Sequence, residues 1–160
     1  MTIRHHAIVV GLIGAVAAAP NLLAPIRAYD GGLAGSAGTF ILHGAVPYRD
    51  FWWLYGPAAP VVAAIATALF GPSLLLLRVL GLGIVAMLTG FVYRALRYRL
   101  PHGPAAMMSI GATSASTVFV GLEISSWSLA LVLALAGLIA RGDGVDREQD
   151  HGRGDHRPPA

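Results

Sequence analysis

The chain has 160 residues, of which 56% are hydrophobic and 12% charged, with a formal net charge of +3 and a mean hydropathy of +0.66. Soluble domains carry about 25% charged residues, so this composition points to an integral membrane protein and gives no reason to invoke a nucleic-acid partner for the basic balance, which membrane topology explains. The absence of cysteine excludes a disulfide framework and any cysteine-based metal or redox site.

Charge is unevenly spread. Residues 141–160 hold four of the eleven arginines and five of the eight acids, and every basic residue is Arg or His. Residues 7–26 follow Arg4-His5-His6 and carry no charge. At about 1.5 Å per residue they reach about 30 Å, the thickness of a bilayer core. A cleaved signal peptide ending at Ala17-Ala18-Ala19 is the rival reading, but the apolar run continues through Pro20 to Ile26.

The next segment, 27–50, reads as an outer loop. Its glycines at 31, 35 and 38 lack the spacing and the preceding strand of a phosphate-binding loop. Ala34 to Leu42 is expected to form a short helix on the membrane, ended by Pro47 because the residue before a proline avoids helix. Residues 51–77 carry no charge. Pro57 and Pro60 interrupt the start and Gly71-Pro72 the end, leaving a helix from Val61 to Phe70 of about 15 Å, too short to cross. It is expected to lie in the interface.

Residues 73–93 form the second expected span, with Arg78 near its outer end and Arg94, Arg97 and Arg99 just after it. The third, 103–122, is rich in Gly, Ser, Thr and Ala, as packed membrane helices often are. Glu123 marks a turn, 124–140 is the fourth span, and 141–160 reads as a disordered polar tail. The expected fold is thus all-α: a membrane domain over 1–140 with about four spans, and short juxtamembrane helices in an outer loop over 27–72.

Arginine placement fixes the expected topology. Four spans with a cytoplasmic start put eight arginines inside and three (Arg27, Arg49, Arg78) outside. Making 58–77 a fifth span leaves two inside and nine outside, against the positive-inside rule. The four-span reading gives a multi-pass plasma-membrane protein with both termini cytoplasmic and with Asp30, Asp50 and Glu123 outside.

Candidate chemistry gathers in that outer loop. Asp30 follows the first span by four residues; a partly desolvated carboxylate there has a raised pKa and suits a general base, whereas the plainer role is a helix N-cap before Gly31. Asp50 reads either as support for a site or as a cap or local partner of Arg49. Arg49 and Arg78 suit a phosphate through the planar guanidinium fork, or simply snorkel. Trp52, Trp53 and Tyr55 fit an interfacial aromatic belt, or a surface that stacks on a sugar. His5-His6 and His43 read as lone features without partners. No metal-ligand spacing, P-loop or nucleophile elbow is present, and no cofactor is implied.

Tyr29-Asp30-Gly31, then Gly44-Ala45-Val46-Pro47-Tyr48-Arg49-Asp50-Phe51-Trp52, Tyr55-Gly56-Pro57, Phe70-Gly71-Pro72-Ser73 and Leu77-Arg78 together resemble the N-terminal part of polytopic glycosyltransferases of the C superfamily. The similar branch is that of dolichyl-phosphate-mannose protein mannosyltransferases and their bacterial relatives. The resemblance covers roughly residues 7–140 and is specific between 29 and 78. It implies an inverting transfer from a polyprenyl-phosphate sugar donor to an acceptor on the outer side. Asp30 would be the base on the acceptor and Asp50 the second acidic position. Arg49, Tyr48, Trp52 and Arg78 would contact the substrates. Two features depart from the pattern: Gly31 stands where many relatives have a second acid, and Tyr55-Gly56 where some have a lysine. Because family members are much longer, the resemblance implies a truncated or partial transferase, or a chain completed by a partner membrane protein. A small non-catalytic membrane protein is the alternative.

Overall fold

A computed structural model describes residues 3–23, 31–54, 56–120 and 131–139. Among them every regular element is helical, and the sole extended pairing is an isolated bridge between Pro47 and Phe51. Helix α1 (Ile3–Ala18) continues as a 3-10 segment, Ala19–Leu23; α2 is Gly31–Leu42, α3 Ala58–Phe70, α4 Leu74–Leu96 and α5 His102–Val120. Residues 131–139 are also helical.

The frame is a bundle of α1, α4 and α5. Arg4 and Arg94 line one groove, Ala7 meets Gly90, Gly11 meets Ala86, Ala18 packs with Val85, and the Arg78 guanidinium donates to the Leu22 carbonyl. The rising numbers on α1 against falling numbers on α4 make the pair antiparallel. Small residues permit the approach. A Cβ on Gly11 would lie 2.5 Å from the Ala86 carbonyl oxygen, and one on Gly90 would lie 2.9 Å from that of Ala7. This is the close-backbone contact of helices that pack without a large hydrophobic gain.

Polar bridges hold α5 in place. Thr89 Oγ1 donates to the Val85 carbonyl (2.7 Å) or shares its proton with Thr113 Oγ1 at 2.8 Å, while Thr113 also bonds the Ser109 carbonyl at 2.8 Å. Asn21 Nδ2 donates to Thr117 Oγ1 at 3.3 Å. At the other end Tyr93 Oη and His102 Nδ1 share a 2.6 Å hydrogen bond, and the His6 and His102 rings meet edge to face with centroids 4.8 Å apart. Bonds of this kind between helices in a bilayer contribute about 0.6–2 kcal/mol each. The histidine at position 6 is therefore not a lone feature. Nor is His43, whose Nδ1 donates to the Thr39 carbonyl at 2.8 Å.

The second unit is the pair α2 and α3. Gly38 would bring a Cβ to 3.0 Å from the Ala63 and Ala64 backbone, and Ala37 and Ala59 join Trp53 in a buried cluster that also touches Leu77, Leu80 and Ile84 of α4. The pair is thereby attached to the N-terminal half of α4, away from the arginines at its other end.

Several expected boundaries move, each for a local reason. Helix α1 starts at Ile3 rather than 7, and its regular turns stop at Ala18. Pro20 lacks an amide proton and crowds the carbonyl four residues back, so the end tightens into 3-10 geometry. Helix α2 begins at Gly31 and ends at Leu42, before Pro47 can act. Gly44 adopts φ +87°, its amide donates to the Ile41 carbonyl and that of Ala45 to Phe40: a left-handed C-terminal cap. Helix α3 starts at Ala58, because a proline in the first turn (Pro60) has no helical acceptor to lose. Its 13 residues make about 20 Å, still short of the bilayer core. Helix α4 is capped by Ser73, whose Oγ accepts from the Leu76 amide at 3.3 Å, and runs to Leu96 rather than stopping at residue 93.

Two segments, Ile3–Leu23 and Leu74–Leu96, are long and apolar enough to cross a bilayer by length and composition. Helix α5 has 19 residues but is more polar. Of the expected fourth span only 131–139 is described; Glu123 and the polar tail lie outside the described residues.

Candidate functional site

The candidate loop runs from the cap at Gly44 to the start of α3, and its order comes from Asp50. The Val46 carbonyl accepts from the amides of Arg49 (3.2 Å) and Asp50 (2.9 Å), while the Val46 amide donates to Asp50 Oδ2 at 2.8 Å. The carboxylate thus closes a ring on its own turn. Arg49 adds a two-pronged grip, Nε on Oδ1 at 2.9 Å and Nη2 on Oδ2 at 2.7 Å. Four residues of tight turn force Tyr48 to φ +68°, a conformation that costs a bulky side chain about 1–3 kcal/mol. Its amide donates to the Phe51 carbonyl at 3.0 Å.

This geometry sets the chemistry of Asp50. The hydrogen bonds from Arg49, then that from the Val46 amide, lower its pKa to about 2, because both favour the charged form. A carboxylate held that low is a weak base, and its two oxygens are already occupied. Its partner Arg49 is held above its ordinary value by the same pair. The Arg49 side chain is 70% exposed, but the pair is formally neutral, which weakens its pull on a phosphate.

The run Phe51-Trp52-Trp53-Leu54 anchors the turn. Trp53 is 5% exposed and Trp52 73%, so the aromatic belt expected from the sequence divides into one anchor and one displayed ring. Trp53 Nε1 donates to the Gly56 carbonyl at 3.1 Å, and Phe51 meets Phe40 of α2 with ring centroids 5.5 Å apart. Exposure alternates along the run, with Trp52 and Leu54 exposed on either side of the buried Trp53, and four consecutive apolar residues carry no sequence signal for which of them is buried. Tyr55 is outside the described residues.

The structure therefore gathers Tyr48, Arg49, Asp50 and Trp52 on one turn, with Tyr48 and Trp52 exposed. Arg78 belongs to the second turn of α4, where its charge faces the carbonyl end of the 3-10 segment at Leu22, a favourable position for a cation. Asp30 lies outside the described residues; α2 begins at the residue after it. Among the described residues no group of three His, Asp or Glu side chains is arranged to hold a metal ion. Comparison of the chain with protein-family models, curated proteins and solved structures finds no match.

Proposed function

We propose that the chain is a four-span plasma-membrane protein carrying the acceptor-activating loop of an inverting glycosyltransferase that uses a polyprenyl-phosphate sugar. In this reading α1, α4, α5 and 124–140 cross the bilayer with both termini cytoplasmic. The carrying observation is the braced turn at Gly44–Gly56, attached through Trp53 to the half of α4 remote from Arg94, Arg97 and Arg99. An ordered turn displaying Tyr48, Arg49 and Trp52 beside a bilayer suits a donor whose lipid is in the membrane and whose phosphate is at its surface.

Asp30 is the base in this scheme. It removes the proton from an acceptor hydroxyl as the oxygen bonds the anomeric carbon. The bond from that carbon to the phosphate oxygen breaks on the opposite face, and polyprenyl phosphate leaves with the electron pair. Asp50, already bound on both oxygens, positions Arg49 rather than moving a proton. Arg78 and Arg49 offset charge on the departing phosphate.

The locked state of Asp50 is also what favours a second reading, a non-catalytic subunit of a partner transferase. The two are separated by Asp30→Asn in membranes supplied with radiolabelled polyprenyl-phosphate hexoses. The expected result is loss of transfer, on the order of 100-fold or more, at an unchanged protein level. Undiminished transfer removes Asp30 as the base.

A further inference from the structure

The pair α2–α3 is built inside out. Its inward faces are small: Ala37 of α2 clusters with Ala59 of α3, and Gly38 faces Ala63 and Ala64. Its outward faces are large and apolar. Val61, Ile65 and Leu69 form one stripe along α3 and are 44%, 55% and 70% exposed, and Phe40 of α2 is 49% exposed. A helix pair on the surface of a soluble domain turns its apolar residues inward and its polar ones outward. Small residues within and bulky apolar ones without is the arrangement of helices packed in lipid. We propose that α2 and α3 form a re-entrant hairpin immersed in the outer leaflet, with acyl chains covering Phe40, Ile65 and Leu69. The proposal rests on the reading of α4 as a span, and it goes beyond the proposed transfer, which needs only a loop beside the bilayer.

Depth comes from the contact with α4. Arg78 and Arg94 bracket an uncharged stretch, 79–93, within the candidate span Leu74–Leu96. The cluster of Ala37, Trp53 and Ala59 packs against Leu80 and Ile84 as well as Leu77. Leu80 and Ile84 lie about 3 and 9 Å inside Arg78 along the helix axis, so the pair reaches into one leaflet's hydrocarbon, which is about 15 Å deep. Its composition suits that depth. Between 31 and 77 the only Asp, Glu, Lys or Arg residues are Arg49 and Asp50, and these are joined to each other. Hydrocarbon requires backbone donors to find partners within the protein. The connecting turn meets that requirement: every amide from 43 to 50 donates to a carbonyl or carboxylate within residues 39–51, Pro47 having none to donate. On α2 the Ser36 and Thr39 hydroxyls donate to the Leu33 and Gly35 carbonyls of their own helix. A helix lying flat in the interface keeps a strongly polar face, whereas α3 carries a single polar side chain, Thr67.

The test is nitroxide labelling of the full chain in palmitoyl-oleoyl phosphatidylcholine liposomes, with oxygen and a polar nickel chelate as relaxation agents. The chain has no cysteine, so Phe40→Cys, Ile65→Cys and Leu69→Cys each give one labelled site on an exposed position. Met87→Cys, exposed in the middle of α4, is the span reference and Arg99→Cys the water reference. Far-UV circular dichroism selects the folded variants. Oxygen enters hydrocarbon and the chelate does not, so all three hairpin labels are expected to show an oxygen-to-nickel accessibility ratio on the order of 10-fold above that of Arg99→Cys. A hairpin lying flat on the membrane gives that ratio at positions 65 and 69 but water-like access at 40, and overturns immersion. Labels closed to both agents, with immobilised spectra, place a protein surface rather than lipid on this face and overturn it equally. Water-like access at position 87 removes the span reading itself, whereas a lipid-like 87 with water-like hairpin labels removes the hairpin alone.

Discussion

Replacing Gly11 with alanine tests how closely α1 and α4 are joined. The added Cβ falls 2.5 Å from the Ala86 carbonyl oxygen, nearly an ångström inside ordinary contact. The obstacle is backbone in the middle of a 23-residue helix, so no rotamer change relieves it, and the helices must separate. Overpacking of this kind costs about 1–3 kcal/mol, offset by up to about 1 kcal/mol from the better helix propensity of alanine. The net expectation is a loss of about 1–2 kcal/mol. Gly83 supplies the control, since a Cβ there meets nothing within 4 Å; Gly83→Ala should be neutral or slightly stabilising. Gly90→Ala, with its contact at 2.9 Å, should fall between the two. Because the chain has no cysteine, single cysteines at the exposed positions Ile8 and Leu75 give a clean dye pair. Energy transfer followed through an SDS titration in mixed micelles then reads separation of the helices. If Gly11→Ala is as stable as Gly83→Ala, the two backbones do not approach as described.

Trp53→Ala should cost about 3–5 kcal/mol, as expected for a buried aromatic, and expose the Arg49–Asp50 bond to trypsin, whereas Trp52→Ala should leave digestion unchanged; equal digestion of the two variants would contradict the anchor role. Asp50 has a pKa lowered to about 2 from about 3.9 when unfolded, so its hold on the turn is complete above about pH 4 and disappears as pH falls through 2. The amide signal of Val46 in a ¹⁵N-valine sample should therefore titrate with a midpoint near 2 and lose that titration in Asp50→Asn; a midpoint near 4 would show the ring to be open. Tyr93→Phe removes the bond to His102 and should lower stability in the same SDS titration by about 0.5–1.5 kcal/mol, while Tyr98→Phe, on an exposed ring, should change nothing.

The helices were largely legible in the sequence because each rests on local signals. The uncharged run before Arg27 and the Gly-Pro and Pro signals around α3 are read from short stretches of chain. Errors arose where two local signals competed. Pro47 was the more conspicuous terminator, but Gly44 comes first along the chain and its positive φ completes the cap. Likewise Pro60 reads as a breaker, yet in a first turn it loses no hydrogen bond. The site was less legible, because its order depends on contacts that a linear reading does not rank. Asp50 and Arg49 were adjacent in the sequence, but the Val46 amide that completes the ring shows no side-chain signature. The cluster of His6, Tyr93 and His102 joins three helices, the first of them far along the chain from the other two, and nothing at any one of those positions announces the others.

The turn that bears the site motif is built to be rigid and nearly neutral, and this constrains any catalytic account. Strain at Tyr48 persists only because Asp50 fixes the turn from three directions, through its own amide, the Val46 amide and Arg49. Those same contacts remove Asp50 from proton transfer and neutralise Arg49. In the proposed transferase reading, a base and a strong phosphate anchor then both come from elsewhere in the chain. Asp30, immediately before α2 in the sequence, is the other acid of the resembling stretches, and Arg78 the other arginine within them. Arg78 donates to the carbonyl of Leu22. In the proposed transferase reading the braced turn at Asp50 is therefore a wall that the acceptor and sugar rest against, and the base and the phosphate anchor act from outside it.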